Sequence, residues 1–171
     1  MVAVAENLTL AEFQARYENS DRSYEYWYGR AIPKGMPTWV HGILQRIVME
    51  LLTEAGYIAG SEVELRIDPG ARPKPDVIAT KSEVEQPYPT KAVDVIVEIL
   101  SPDDTLPFVS EKCRSYAAWG FVGIYVVDPQ TRVLSRWTGT SLAETDTLTT
   151  VPASEIWKRL DQALNRPPCT E

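Results

Sequence analysis

A chain of 171 residues has room for one α/β or α+β domain and little beyond it, and its 44% hydrophobic and 24% charged content is ordinary for a soluble globular protein. Its cysteines, Cys113 and Cys169, have no cluster spacing, which excludes a disulfide scaffold and a zinc ribbon and suits a reducing cytosol. A net charge of −7 argues against a broad phosphate-binding surface, so any basic patch has to be local; the best candidate is 66–81, where Arg66, Arg72, Lys74 and Lys81 outnumber Asp68 and Asp76.

The opening MVAVAENLTLAEF has neither a basic n-region nor an apolar stretch suited to export. No apolar run reaches the roughly 18 to 20 residues of a membrane helix, so the expectation is a soluble, cytoplasmic protein without a membrane partner. The first helix starts at TLAE, where Thr9 and Glu12 have capping-box spacing. Leu10, Phe13 and Tyr17 repeat at helical spacing, and NSD closes the helix. YEYWYGRAIPKG reads as two short strands around a tight turn near Gly29.

Residues 38–55 make the strongest helix, with Val40, Ile43, Leu44, Ile47, Val48, Leu51 and Leu52 in one apolar stripe and Gly56 as terminator. SEVELRI and KPDVIAT follow as strands joined by the turn DPGARP. After the connector QPYP, AVDVIVEIL is the nearly continuous apolar run of a central strand covered on both faces. A helix over about 105–119 ends at Gly120, FVGIYVVDP is another core strand, and RVLSRWTG with 141–149 forms a terminal meander. SEIWKRLDQAL closes the fold before a frayed PPCTE tail. The expected class is α/β, a mixed β-sheet flanked by α-helices in a single domain over 1–171 with its core at about 8–165.

Asp76 in KPDVIAT and Glu98 in VDVIVEIL interrupt apolar patterns. A buried carboxylate is costly, so each requires a cation, a proton or hydrogen-bond donors. Alternation puts Asp94, Ile96, Glu98 and Leu100 on one strand face, with Glu98 the deeper acid. The plainer readings are a turn-entry residue after Pro75 for Asp76, and an ion pair with Lys112 or Arg114 for Glu98. Lys112, about two turns into the following helix, can be brought toward the end of the Glu98 strand. Two hard carboxylates suit Mg²⁺ or Mn²⁺, and a nearby ammonium can orient a water and stabilise charge developing on phosphorus. That combination matches metal-assisted phosphodiester hydrolysis. Ser101 has neither an elbow motif nor any base beyond His41, the sole histidine, and no phosphate-cradling glycine loop is present.

The segments KPDVIAT, VDVIVEILSPDDT and EKCRSYAAWGFVGIYVVDPQTR, with YEYWYGRAI and a helix opening at His41, resemble the Uma-two family of endonuclease-like proteins, abundant in cyanobacteria. The resemblance runs over roughly 8–165. It implies the restriction-endonuclease-like fold of the PD-(D/E)XK superfamily. Asp76 then matches the aspartate of the PD motif and Glu98 the acid of the second motif. The usual lysine position, two residues on, is Leu100, and the family resemblance points to Lys112 on the next helix instead. The backbone carbonyl of Ile99 is expected to assist Asp76 and Glu98 in holding one Mg²⁺ or Mn²⁺.

Glu25 matches the glutamate of the family's YE motif and is a candidate further ligand; alone it reads as an exposed or hairpin-paired carboxylate. His41 and Gln45, one helical turn apart, are candidates for contact with substrate or metal-bound water, against the reading of His41 as a packing residue. Glu62 and Glu64 read as solvated acids alternating on a strand. Trp39, Trp119 and Trp157 read as core or interface residues. The expected partner is nucleic acid, DNA before RNA, with a homodimer supplying two centres. The alternatives are a non-catalytic binding module that keeps the fold, and a structural ion-pair cluster in a protein acting through its surface.

Overall fold

A computed structural model describes residues 7–165. The elements run α1 (Leu10–Tyr17), β1 (Tyr24–Trp27), β2 (Arg30–Pro33), α2 (Trp39–Glu54), β3 (Ile58–Ser61), β4 (Ala71–Arg72), β5 (Val77–Thr80), β6 (Val95–Ile99), α3 (Leu106–Ala118), β7 (Gly123–Asp128), β8 (Val133–Trp137), β9 (Leu142–Glu144), β10 (Thr147–Leu148), β11 (Val151–Pro152) and α4 (Ala153–Leu164). The capping box at Thr9 and Glu12 is formed, with Thr9 Oγ1 accepting from the Glu12 N–H and Glu12 Oε2 from the Thr9 N–H. Tyr28 and Gly29 form the tight turn of the first hairpin, both with positive φ (46° and 85°), as a two-residue turn matched to strand twist requires. The PPCTE tail and Cys169 lie outside the described residues.

A six-stranded mixed sheet in the order β3-β5-β6-β7-β8-β9 divides the interior. Its one parallel pair, β6 with β7, is joined through α3, while the other pairs are antiparallel. On one face Val77, Ala79, Val95, Val97, Ile99 and Val127 pack against α2 and α4. On the other, Ile78, Ile96, Ile124 and Val126 pack against α3 and against Trp27 and Ala71 of a small β2-β1-β4 sheet. Both faces of β6 are therefore covered, and all of its residues are buried. This is the α/β arrangement expected from the apolar runs, a mixed sheet flanked by helices.

The chain departs from the expected order between 61 and 72. SEVELRI is not a strand beyond Ser61: Glu62 takes a left-handed backbone (φ 55°), which breaks the ladder of β3. The expected turn DPGARP instead ends in β4, whose Ala71 and Arg72 pair with Trp27 and Tyr26 and dock the small sheet. Three side chains of the candidate basic patch over 66–81 are held by local contacts. Arg66 is paired with Glu64 and stacked over Tyr88, Arg72 donates to backbone carbonyls of Asp68 and Ala71, and Lys81 lies over Tyr57.

Candidate active site

The strand alternation that buries Ile78 and Ile96 on the α3 side also carries Asp76 and Glu98, which are 3% and 7% exposed. Asp76 lies just ahead of β5 and Glu98 near the end of β6, so two adjacent strands present both acids at one end of the sheet. Asp94, at the other end of β6, is exposed, as the apolar pattern requires. Across the sheet, α3 brings in Lys112, whose Nζ is 2.8 Å from Glu98 Oε1 and 3.2 Å from Glu25 Oε2. Tyr116, one turn further along α3, donates its hydroxyl to Glu98 Oε1 at 2.6 Å.

Glu25 on β1 is 2% exposed, so it is not the exposed carboxylate that its position in a hairpin suggested. Its Oε1 accepts from the Lys74 N–H (2.6 Å) and its Oε2 from Trp27 Nε1 (3.0 Å), which leaves Lys112 as its cation. Asp76 is saturated differently. Its Oδ2 accepts from the Ile99 N–H at 2.7 Å and faces His41 Nε2 at 3.3 Å, while Oδ1 faces Lys34 Nζ at 3.3 Å. Gln45 Nε2 donates to the Asp76 backbone carbonyl at 2.9 Å and to Glu62 Oε1 at 3.2 Å. The pair His41 and Gln45 thus lies on the side of α2 that meets Asp76, and His41 is a buried partner of that acid rather than a packing residue on a helix flank.

The structure brings together the candidate site residues Glu25, His41, Gln45, Asp76, Glu98, Ile99 and Lys112, adds Lys34, Asp104 and Tyr116, and draws in Glu62, which the sequence read as solvated. Lys34 follows β2 and donates to Glu62 Oε2 (2.7 Å), to the Lys74 carbonyl (2.6 Å) and to Asp76. Nothing in the local pattern of AIPKG marks it. Glu62 and Glu64 do not share a strand face, because the left-handed turn at Glu62 sends its carboxylate back to Lys34 and Gln45. Tyr116 was open to inference, since it lies four residues after Lys112 and shares its helix face.

Apart from Tyr116, these groups line a cavity of about 270 Å³ whose acids, Glu25, Glu62, Asp76, Glu98 and Asp104, outnumber its cations, Lys34, Lys112 and His41. Burial pushes Glu98 up to about 7 against the pull of Lys112, and the nearby Asp76 and Glu25 add to the rise. Burial also acts to raise Asp76, but the His41 hydrogen bond, the Lys34 charge and the Ile99 N–H overcome it and hold the acid below the usual carboxylate range. For Lys112, burial favours the neutral amine, yet Glu25 and Glu98 hold it above the usual lysine range, so it remains an ammonium. Burial likewise opposes charge on His41, and Asp76 reverses the sign and raises it.

Among the described residues no three His, Cys, Asp or Glu side chains form a ready-made metal cage. A two-carboxylate site with excess negative charge still fits a hard divalent cation, because Mg²⁺ keeps several of its waters and is commonly held by one or two carboxylates. Asp76 and Glu98 would be the acids to hold it, and Ile99, which also lines the cavity, would add its backbone carbonyl.

The sequence matches the family model Uma2, described as "Putative restriction endonuclease", over residues 10–161. The chain belongs to the Uma2 family. The matched span contains all the cavity residues named above, from Glu25 to Lys112, and Tyr116 beside them. Among solved structures, this Uma2 protein is similar to a crystal structure from Anabaena variabilis titled as a "putative nuclease belonging to DUF820", with TM-score 0.70, 20% identity, and coverage of 90% of this chain and 99% of that one. The two share the fold. A cryo-electron-microscopy structure titled a DrdV–DNA complex matches at TM-score 0.40 and 18% identity, over 72% of this chain and 11% of that one, a level that does not establish a common fold. No curated protein matches the chain. Among the described residues no helix is long and apolar enough to cross a membrane.

Proposed function

We propose that this Uma2 protein is a metal-dependent endonuclease that hydrolyses phosphodiester bonds in nucleic acid, DNA before RNA, at the Asp76–Glu98–Lys112 cavity. The observation that carries the reading is the convergence of two strand-end carboxylates with one ammonium, Lys112, that its neighbours keep charged. Asp76, Glu98 and the Ile99 carbonyl would hold Mg²⁺ or Mn²⁺. A divalent cation bound there supplies Lewis-acid stabilisation of charge on a phosphoryl oxygen.

The protein groups have separate tasks. Lys112 Nζ stays protonated, so it donates a hydrogen bond to the attacking water and to the oxygen on which charge develops; it is not a base. Glu25 also holds Lys112, with its own oxygens fixed by Trp27 and the Lys74 N–H. His41 and Gln45 position Asp76 from α2, the first through the carboxylate and the second through the backbone carbonyl. A homodimer belongs to this reading, because two symmetry-related centres are the usual means of cutting both strands. Localisation in the cytoplasm accompanies it.

Incubation of covalently closed circular DNA with the protein and Mg²⁺ or Mn²⁺ tests the activity, since a circle has no ends for an exonuclease. Nicked and linear products that disappear with chelator are expected. Intact circles, together with intact single-stranded DNA and RNA, would contradict the proposal. A second reading, a structural ion-pair cluster in a non-enzymatic protein that acts through its surface, is favoured by the protein-borne partners of every buried acid. It predicts that Mn²⁺ leaves the melting temperature unchanged, whereas the nuclease reading predicts stabilisation that is lost in Asp76→Ala.

A further inference from the structure

Lys34 belongs to no motif, yet its ammonium lies among the acids of the cavity. Its side chain is 15% exposed, and three oxygens surround Nζ: the Lys74 carbonyl at 2.6 Å, Glu62 Oε2 at 2.7 Å and Asp76 Oδ1 at 3.3 Å. The longest of these contacts is the one to Asp76. The two Asp76 oxygens are also unequal. Oδ2 accepts the buried Ile99 N–H and meets His41, a short side chain anchored on α2. Oδ1 has only Lys34, a flexible four-carbon stem with two other, closer acceptors.

We propose that Lys34 is a built-in competitor for the cation place at Asp76 Oδ1, and that Glu62 sets how readily it yields. This rests on the reading of Asp76 as a ligand of a divalent cation. Before a divalent ion arrives, Lys34 supplies a positive charge to a buried aspartate that would be costly alone. A divalent cation at Oδ1 would repel the ammonium, which retains its bonds to Glu62 and the Lys74 carbonyl when the Asp76 contact opens. Glu62 is suited to that task because its left-handed backbone turns it toward the cavity while its side chain stays 44% exposed. The charges of Asp76, Glu98, Glu25 and Glu62 all act on Lys34, as they would on any cation in that place. The excess of acids over cations in the cavity therefore includes a lysine whose removal enlarges it.

Isothermal titration of Mn²⁺ into the full metal-free chain, without nucleic acid, tests this with Lys34→Met, Glu62→Gln and the double variant. Lys34→Met should bind Mn²⁺ more tightly, on the order of tenfold, within the usual coupling of contacting charges. Glu62→Gln should bind it more weakly by several-fold, because Lys34 then has only Asp76 as an acidic contact. In the Lys34→Met background the Glu62→Gln effect should shrink to the direct pull of the Glu62 charge on the cation, since most of it acts through Lys34. Unchanged or weaker binding by Lys34→Met overturns the proposal, as does an equal Glu62→Gln effect in both backgrounds. If Lys34→Met does not fold, Lys34→Gln replaces it in both the single and the double variant, with the same outcomes for and against. Asp76→Asn separates the underlying reading, because Mn²⁺ affinity that survives it removes the metal site itself.

Discussion

The ammonium of Lys112 on α3 lies 2.8 Å from Glu98 Oε1 near the end of β6. The strand position two residues beyond Glu98 is Leu100, so a helix that crosses from β6 to β7 returns the charge that the strand lacks. The same ammonium reaches Glu25 on β1 and ties the small sheet to the main one. The proposed chemistry and the junction of the two sheets therefore meet at one side chain.

Lys112→Met keeps the volume and removes the charge, leaving Glu25 and Glu98 buried beside each other without their shared cation. Breaking a buried pair in this way costs about 3 to 5 kcal/mol. Urea denaturation of the metal-free protein at neutral pH should show a loss of that order, and the deficit should shrink in acid as the acids protonate. A loss under about 1 kcal/mol would mean that the pair contributes no more than a surface salt bridge.

Glu98 supplies a pH signature. Its carboxyl is raised to about 7, above the ordinary glutamate value it takes in the unfolded chain. A raised acid contributes stability that is fully present below the unfolded pKa and lost as pH rises through the folded one. Wild type should therefore lose stability relative to Glu98→Gln between about pH 4 and about pH 8 without metal. His41, also raised, moves the same way but is present in both proteins, so the difference isolates Glu98. Parallel urea midpoints across that range would contradict the assignment.

Two glycines should respond with opposite signs. A Cβ on Gly123 would come 2.7 Å from the Asp94 carbonyl oxygen, where β7 starts beside β6. Gly123→Ala should destabilise by about 1 to 3 kcal/mol, since backbone cannot give way as a flexible side chain can. Gly42, inside α2 with nothing within 4 Å of its Cβ position, should gain up to about 1 kcal/mol as alanine. Thermal or urea denaturation reads both, and a shared sign would show that the packing at the β6–β7 start is wrong.

The acids of the site were legible because burial forbids them: Asp76 and Glu98 stand in apolar strand runs, and that conflict is visible without coordinates. Lys112 was legible only in part, since helix periodicity gives its face but not the reach of α3 back over β6. Lys34 was not legible. Its neighbours are 28 and 42 residues away, and nothing in AIPKG distinguishes a lysine in a cavity from one in solvent. Glu62 was hidden by its left-handed backbone, which turns an apparently regular alternation, SEVELRI, away from the strand it resembles. The small sheet was missed for a related reason, because two residues of β4 are too few to leave an alternating pattern. Of the tryptophans read as core or interface, Trp119 stacks on Trp27 at 5.7 Å and Trp157 packs beside α2, while Trp39 is 79% exposed and lies outside the core.

The most direct measurement of the central claim is single-turnover cleavage of closed circular DNA in Mg²⁺ or Mn²⁺ by wild type, Asp76→Asn, Glu98→Gln and Lys112→Met, purified in parallel and shown to be folded. Groups that act as a unit on a charged transition state should each cost at least about a hundredfold in rate, and the losses should not add in a double variant. Equal cleavage by all four proteins would contradict the account, because the activity would then arise somewhere other than this cavity.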